Sequence, residues 1–263
     1  MVKWNLSELH KKEETEKVLK KINKLVKTAK SFRAELNENI SPKRFMQMIK
    51  HFEKISLISS KLSGFASLWL TEKTDSSERN TYYASISQKL TELGNELIFF
   101  GLWFKKLPDK KAQKLIKNSG KYSYHLTSIR RFKDHSLSEK EEKIINIKDL
   151  TGDEASTRFY DIITNSFKFE IDGRELTQSD LIPLVRSPNK DKRKQAYTKL
   201  LSKYKNNQHI LGELYKVLVQ DWANENLLLR KFKTPISVRN LGNDIKDKTV
   251  ETLLNVIKKN ISI

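Results

Sequence analysis

Cysteine is missing from all 263 residues. Disulfides, thiolate metal sites and a cysteine nucleophile are therefore excluded, and the chain fits a reducing compartment. Glycine and proline are scarce, at eight and five, too few to punctuate the many short strands and turns of an all-β fold. No run reaches the roughly 18 consecutive apolar residues that a spanning helix needs. The opening Met1-Val2-Lys3-Trp4-Asn5-Leu6 leads into charged sequence without the apolar core of a secretion signal. These absences lead us to expect a cytoplasmic protein with no membrane partner.

Motifs of chemistry are absent as well. A zincin helix sets two histidines four apart so that both imidazoles reach one metal, with a glutamate between them to polarise water. The five histidines, His10, His51, His125, His135 and His209, include no such pair. There is no Gly-x-Ser-x-Gly elbow, Gly-rich phosphate loop or dinucleotide fingerprint. Carboxylates are many, but sequence alone cannot pair them across space. No residue is assigned a catalytic or metal-ligand role, no substrate-binding residue is identified, and no cofactor is expected in this chain.

What the chain has in abundance is charge. Lysine and arginine number 51 against 32 acids, a net +19. That excess suits a polyanion, but acids are interleaved with the bases, as in Glu139-Lys140-Glu141-Glu142-Lys143, which is how solvated helix faces look. Nucleic acid is accordingly not the expected partner. The basic runs Ile129-Arg130-Arg131-Phe132-Lys133 and Lys190-Asp191-Lys192-Arg193-Lys194 are read as solvated surface.

Apolar residues recur at helical spacing. Val18, Leu19, Ile22, Leu25, Val26 and Ala29 mark a helix from about Ser7 to Leu36. Ser41-Pro42 opens a second, running to Leu70, with serine as the cap and proline at the first helical position. Asp75-Ser76-Ser77-Glu78, with capping-box spacing, opens a third through Phe100. Three long helices on short loops predict an antiparallel bundle. The cluster Phe99, Phe100, Trp103 and Phe104 reads as bundle core rather than a ligand shelf. Boxes at Ser138-Glu141 and Thr151-Glu154 predict helices over 139–149 and 153–165.

Then the period changes to two. Phe167, Phe169 and Ile171 alternate with polar residues before Asp172-Gly173, predicting one β-hairpin near residues 166–177. Further helices are expected over 178–185, from Asp191 to Tyr204, from Gln208 to Leu229 and from about Lys248, with Lys233-Thr234-Pro235-Ile236-Ser237 as a loop. The last helix meets no stop signal before Asn260-Ile261-Ser262-Ile263, so the chain reads as truncated. The fold class is all-α, long antiparallel helices in a multi-helix bundle with that single hairpin. Residues 1–120 are expected to form an N-terminal helical bundle, and 121–263 a helical region carrying the hairpin. His135 and Glu139 have the spacing of a ligand pair, but the helix entry at Ser136-Leu137-Ser138 should leave His135 outside the helix. His125 is expected to be a hydrogen-bonded packing histidine.

Several segments, in order, resemble the oligoendopeptidase F branch of the thimet-type (M3) metallopeptidases. They are Trp4-Asn5-Leu6, where Asn5 replaces the usual acid; Phe99-Phe100 with Leu107-Pro108-Asp109; Tyr124-His125-Leu126; and Leu137-Ser138-Glu139-Lys140-Glu141-Glu142. Asp172-Gly173 with Leu176-Thr177 follows, then Ser187-Pro188-Asn189-Lys190-Asp191-Lys192-Arg193-Lys194-Gln195-Ala196-Tyr197, and finally Arg230 with Thr234-Pro235-Ile236-Ser237. The resemblance covers nearly the full chain. It implies the N-terminal, channel-forming half of a zinc endopeptidase of short peptides, with residues 121–263 starting the peptidase domain. The zinc site of the longer protein would lie beyond this sequence, on a His-Glu-x-x-His helix and a downstream glutamate. The implied partners are an oligopeptide and the missing C-terminal catalytic half, without which this chain would be inactive. The rival readings are a stand-alone helical scaffold or polyanion-binding module, and a truncated pseudo-enzyme.

Overall fold

In the computed structural model, residues 4–261 are described; residues 1–3 and 262–263, parts of the opening and closing segments read above, lie outside them. The first helix, α1 (Thr15–Ser31), follows a short 3-10 turn at Lys12–Glu14. It starts later than the expected Ser7, because residues before Lys12 fold into a turn in which the N–H groups of Leu9 and His10 donate to the Leu6 carbonyl. Its stripe Leu19, Ile22, Val26 and Ala29 is buried.

Helix α2 (Pro42–Glu72) is capped as expected, the Ser41 hydroxyl accepting from the Arg44 N–H. The third helix is two helices, α3 (Ser77–Asn95) and α4 (Ile98–Lys106), and its cap is Ser76, not Asp75. The three long helices α1, α2 and α3 pack side by side along short connections, which makes neighbours antiparallel. Phe45, Phe104, Ile22, Met48 and Leu62 are fully enclosed between them. The aromatic cluster reads correctly as core: Phe99, Phe100 and Phe104 are buried, and Phe45 stacks on Phe100 and Phe104 at 5.9 and 5.4 Å between ring centres.

Two short helices follow, α5 (Asp109–Lys117) and α6 (Ser123–Arg131). The basic run in α6 is not the solvated surface its composition suggests. The Arg130 guanidinium is nearly buried and donates to the carbonyls of Lys105 and Leu107 at 3.3 and 2.9 Å, to that of Phe104 and to Asp109. It thereby satisfies the free carbonyls at the end of α4, where a cation is also favoured by the helix dipole.

Helix α7 (Glu139–Asp149) carries the complete capping box of Ser138 and Glu141. It is joined to α3 through buried Asn95, whose amide accepts from Asn146 at 2.7 Å and donates to the Lys143 carbonyl at 3.3 Å. Helix α8 (Asp153–Asn165) has the expected bounds, but its cap is Gly152 with no side-chain bond; the Thr151 hydroxyl turns back to the Lys148 carbonyl.

The hairpin pairs β1 (Phe169–Ile171) with β2 (Arg174–Leu176) in antiparallel register, Phe169 opposite Leu176. Asp172 and Gly173 both take positive φ, 51° and 73°, the pair that a two-residue type I′ turn requires. Helix α9 (Gln178–Val185) and helix α10 (Lys190–Asn206) close over the strands. Phe167, Phe169, Ile171, Leu181 and Ala196 form a second apolar core, distinct from that of the bundle.

Helix α11 (Gln208–Ala223) does not run unbroken to Leu229: residues Asn224–Leu229 form a π-helical turn. The segment 233–237, expected as a loop, opens α12 (Pro235–Gly242). Thr234 caps it by accepting from the Ser237 N–H, and Pro235 takes the first position, where no bond is lost. Helix α13 (Asp247–Lys259) ends the described chain. Among the described residues no helix is long and apolar enough to cross a membrane.

Candidate functional site

A cleft of about 1200 Å³ opens between α2, α4, α6, α7 and the π-helical turn. One wall is apolar, with Ile49, Phe52 and Leu57 of α2 facing Phe100 and Leu102 of α4. The opposite wall is polar and is organised by Arg230, just past the π turn. Its guanidinium grips Glu142 with two parallel bonds of 3.0 and 2.9 Å, holds Glu225 at 2.6 Å and donates to the His135 carbonyl at 3.3 Å. The forked geometry of arginine suits this bidentate task.

The ionisation states follow from these contacts. Burial opposes the charge on Glu142, but its bonds from Arg230 and from the Leu137 N–H outweigh it and hold the carboxyl below its ordinary range. Burial likewise opposes the charge on Arg230, and the two glutamates more than restore it. Behind this pair, burial pushes Asp149 up to about 6, helped by the neighbouring charges of Glu225, Asp221 and Asp153, while Arg230 pulls the other way. Lys105, at the end of α4, points the other way: burial lowers its amine below the ordinary lysine value, with Glu142 resisting and Arg230 adding to the effect.

His135 sits in a short 3-10 turn at Lys133–His135, outside α7 as expected. Its ring stacks on Phe232 at 3.5 Å and its Nδ1 bonds the Arg230 carbonyl at 2.8 Å. Because a carbonyl can only accept, Nδ1 carries the proton. Glu139 faces Arg33 and Lys143 instead; the spacing of a ligand pair is present, but the two side chains serve different partners. His125 is exposed at the cleft rather than packed. His10 is buried against Thr15 and Phe65, His51 bonds the Leu25 carbonyl at 2.8 Å, and His209 is exposed on α11.

Among the described residues no group of three or more His, Asp or Glu side chains is placed to hold a metal ion. The second basic run is structural at one residue, since Arg193 donates to the carbonyls of Ser187 and Pro188, both at 2.8 Å.

Comparison with known proteins points one way. A family model described as Oligopeptidase F matches residues 103–169, the stretch that holds the end of α4, Arg130, the cleft histidines and Glu142. An oligoendopeptidase F homolog of Borreliella burgdorferi is 26% identical over 268 aligned residues, covering 99% of this chain and 44% of that protein. The crystal structure of oligoendopeptidase-F from Enterococcus faecium superposes with a TM-score of 0.78 at 16% identity, over 95% of this chain and 50% of its own. A second solved structure, from Chlamydophila abortus, gives a TM-score of 0.59 at 16% identity over 98% of this chain and 45% of its own. The chain thus spans about half the length of the relatives it matches. In sequence and in fold, it matches the N-terminal half of the oligoendopeptidase F type.

Proposed function

We propose that this chain forms the N-terminal, channel-forming portion of a zinc-dependent oligopeptidase that hydrolyses short peptides. The observation that carries the reading is the fold match over 95% of the chain to half of an oligoendopeptidase-F, with a cleft of about 1200 Å³ between the matched helices. The two apolar cores support two units, a bundle over 1–120 and the start of the peptidase domain over 121–263; the first core extends slightly past that division, to Leu126 and Ile129.

The zinc and its ligands belong to a partner half that this chain does not supply. Such a metal lowers the pKa of water and polarises the scissile carbonyl. The present residues enclose the peptide and exclude water around it. Exposed apolar side chains on α11 and α13, including Tyr215, Val219, Leu253 and Ile257, are the surface on which that half would rest.

The test is the natural gene product isolated from its source cells. We expect a mass near twice that of this chain, stoichiometric zinc, and hydrolysis of a quenched fluorescent octapeptide that stops on chelation. A product of this chain's own mass, without zinc or peptidase activity, overturns the reading in favour of a helical scaffold.

A further inference from the structure

The charged groups in the cleft are unequally matched. Glu142 accepts two bonds from Arg230 and one from the Leu137 N–H. Glu53, at the rim, accepts from the Tyr122 hydroxyl at 2.7 Å and lies 3.5 Å from Lys121. Both acids lining the cleft are therefore already neutralised or bonded by the protein itself. Lys105 lines the same space, half-buried, with no carboxylate at ion-pair distance among the described residues. Taking an ammonium out of water without a counter-charge is costly, and the cost is relieved when a ligand brings an anion to it.

The surroundings restrict that ligand. The same cleft is lined by Phe100 and Leu102 of α4, the helix of Lys105, and by Ile49, Phe52 and Leu57 of α2, which offer an apolar wall. His135 stacks on Phe232 and gives its Nδ1 proton to the Arg230 carbonyl, which leaves Nε2 without a protein partner among the described residues. An anion beside apolar groups, with an N–H to give to an imidazole, describes the end of a peptide chain.

We propose that Lys105 anchors the free α-carboxylate of an oligopeptide lying in this cleft, with the peptide's apolar C-terminal side chain against Ile49, Phe52 and Phe100. The inference rests on the peptide-binding reading above and deepens it, by fixing which end of the peptide this half of the protein holds. A short carboxylate or inorganic phosphate would satisfy the same ammonium but not the apolar wall.

The experiment is fluorescence polarisation on the full chain with an N-terminally labelled hexapeptide ending in phenylalanine, as the free acid and as the C-terminal amide. On the natural protein the acid is expected to bind about tenfold tighter than the amide, as befits one partly desolvated charge-assisted bond. Lys105→Met removes that preference and Lys105→Arg keeps part of it. Equal binding of acid and amide overturns the anchor and leaves peptide binding standing; absence of binding by both overturns both readings. Displacement of the acid by phosphate at equal concentration also overturns it, assigning the site to anions in general. Should Lys105→Met fail to fold, the comparison of acid with amide on the natural protein still decides.

Discussion

Arg230 brings together segments 88 positions apart, and nothing in either segment announces the pairing. The sequence marks it only as a basic residue before Thr234-Pro235, and Glu142 only as the end of a capping region. Their side chains are 17% and 13% exposed, so removing the cation leaves two carboxylates in poor solvent. Arg230→Met is expected to lower stability by about 3 kcal/mol, measured by denaturant unfolding. The double substitution with Glu142→Gln should lose less than the sum of the two single ones, because the stranded charge goes too. Asp149 has the opposite character. Its carboxyl is raised from the ordinary 3.8 to about 6 by burial and three acidic neighbours. The folded state therefore holds its proton where the unfolded chain has lost it. Its contribution is full below about pH 4 and disappears as pH rises through 6. Asp149→Asn should then stabilise the protein at pH 7.5 by about 1–2 kcal/mol, after discounting for partial exposure, and by nothing near pH 4. An equal gain at both pH values would refute the shift. None of this was legible beforehand, since it depends on which acids the fold gathers around the start of α8.

Among elements, the hairpin shows how closely a local signal fixes local structure. Gly173 holds φ of +73°, which a Cβ makes strained, although the space around it is open. Gly173→Ala should cost about 1 kcal/mol in denaturant unfolding and Gly173→Asn distinctly less, since asparagine tolerates the left-handed region. A loss through the second core, rather than the turn, would cost both variants alike. Helices α2 and α7 fell where apolar period and serine caps placed them, because local hydrogen bonds decide those ends, whereas α8 keeps its expected bounds without a side-chain cap. The errors share a cause as well. The π-helical turn at Asn224–Leu229 lies in sequence with every mark of continued helix, Asn-Glu-Asn-Leu-Leu-Leu. It departs from α-geometry where the chain turns to present Arg230 and Phe232 to the cleft, a tertiary demand invisible to a local window. At 233–237 the proline that suggested a loop is instead a helix start, a position where its missing N–H is harmless. Ser138→Ala, which breaks a capping box with both reciprocal bonds formed, is expected to cost about 1 kcal/mol.

For the molecule as a whole, burial is uneven along the chain. The bundle buries Leu19, Ile22, Val26 and Ala29 of α1 and eight residues of α2, from Phe45 to Leu70, whereas α13 has no buried residue and leaves Leu253, Leu254, Val256 and Ile257 between 50% and 59% exposed. An amphipathic helix of 13 residues is marginal in water on its own, since its nucleation cost is recovered only by burying one face. The amide hydrogens of α13 should therefore exchange within seconds to minutes in this chain, while those of α1 and α2 persist by orders of magnitude longer. Hydrogen exchange read by mass spectrometry separates the two. The same measurement on a protein that carries this chain joined to a C-terminal half of the relatives' kind tests what covers that face. Slowed exchange in α13 and along the exposed side of α11 would place the partner half there. If α13 exchanged as fast in the longer protein as in this chain, its apolar stripe would have to face something else, and the docking assigned to the C-terminal half would be wrong. Strong protection of α13 in this chain alone would instead mean that its apolar face is already covered, most simply by a second copy, which a concentration series of the same exchange rates would reveal.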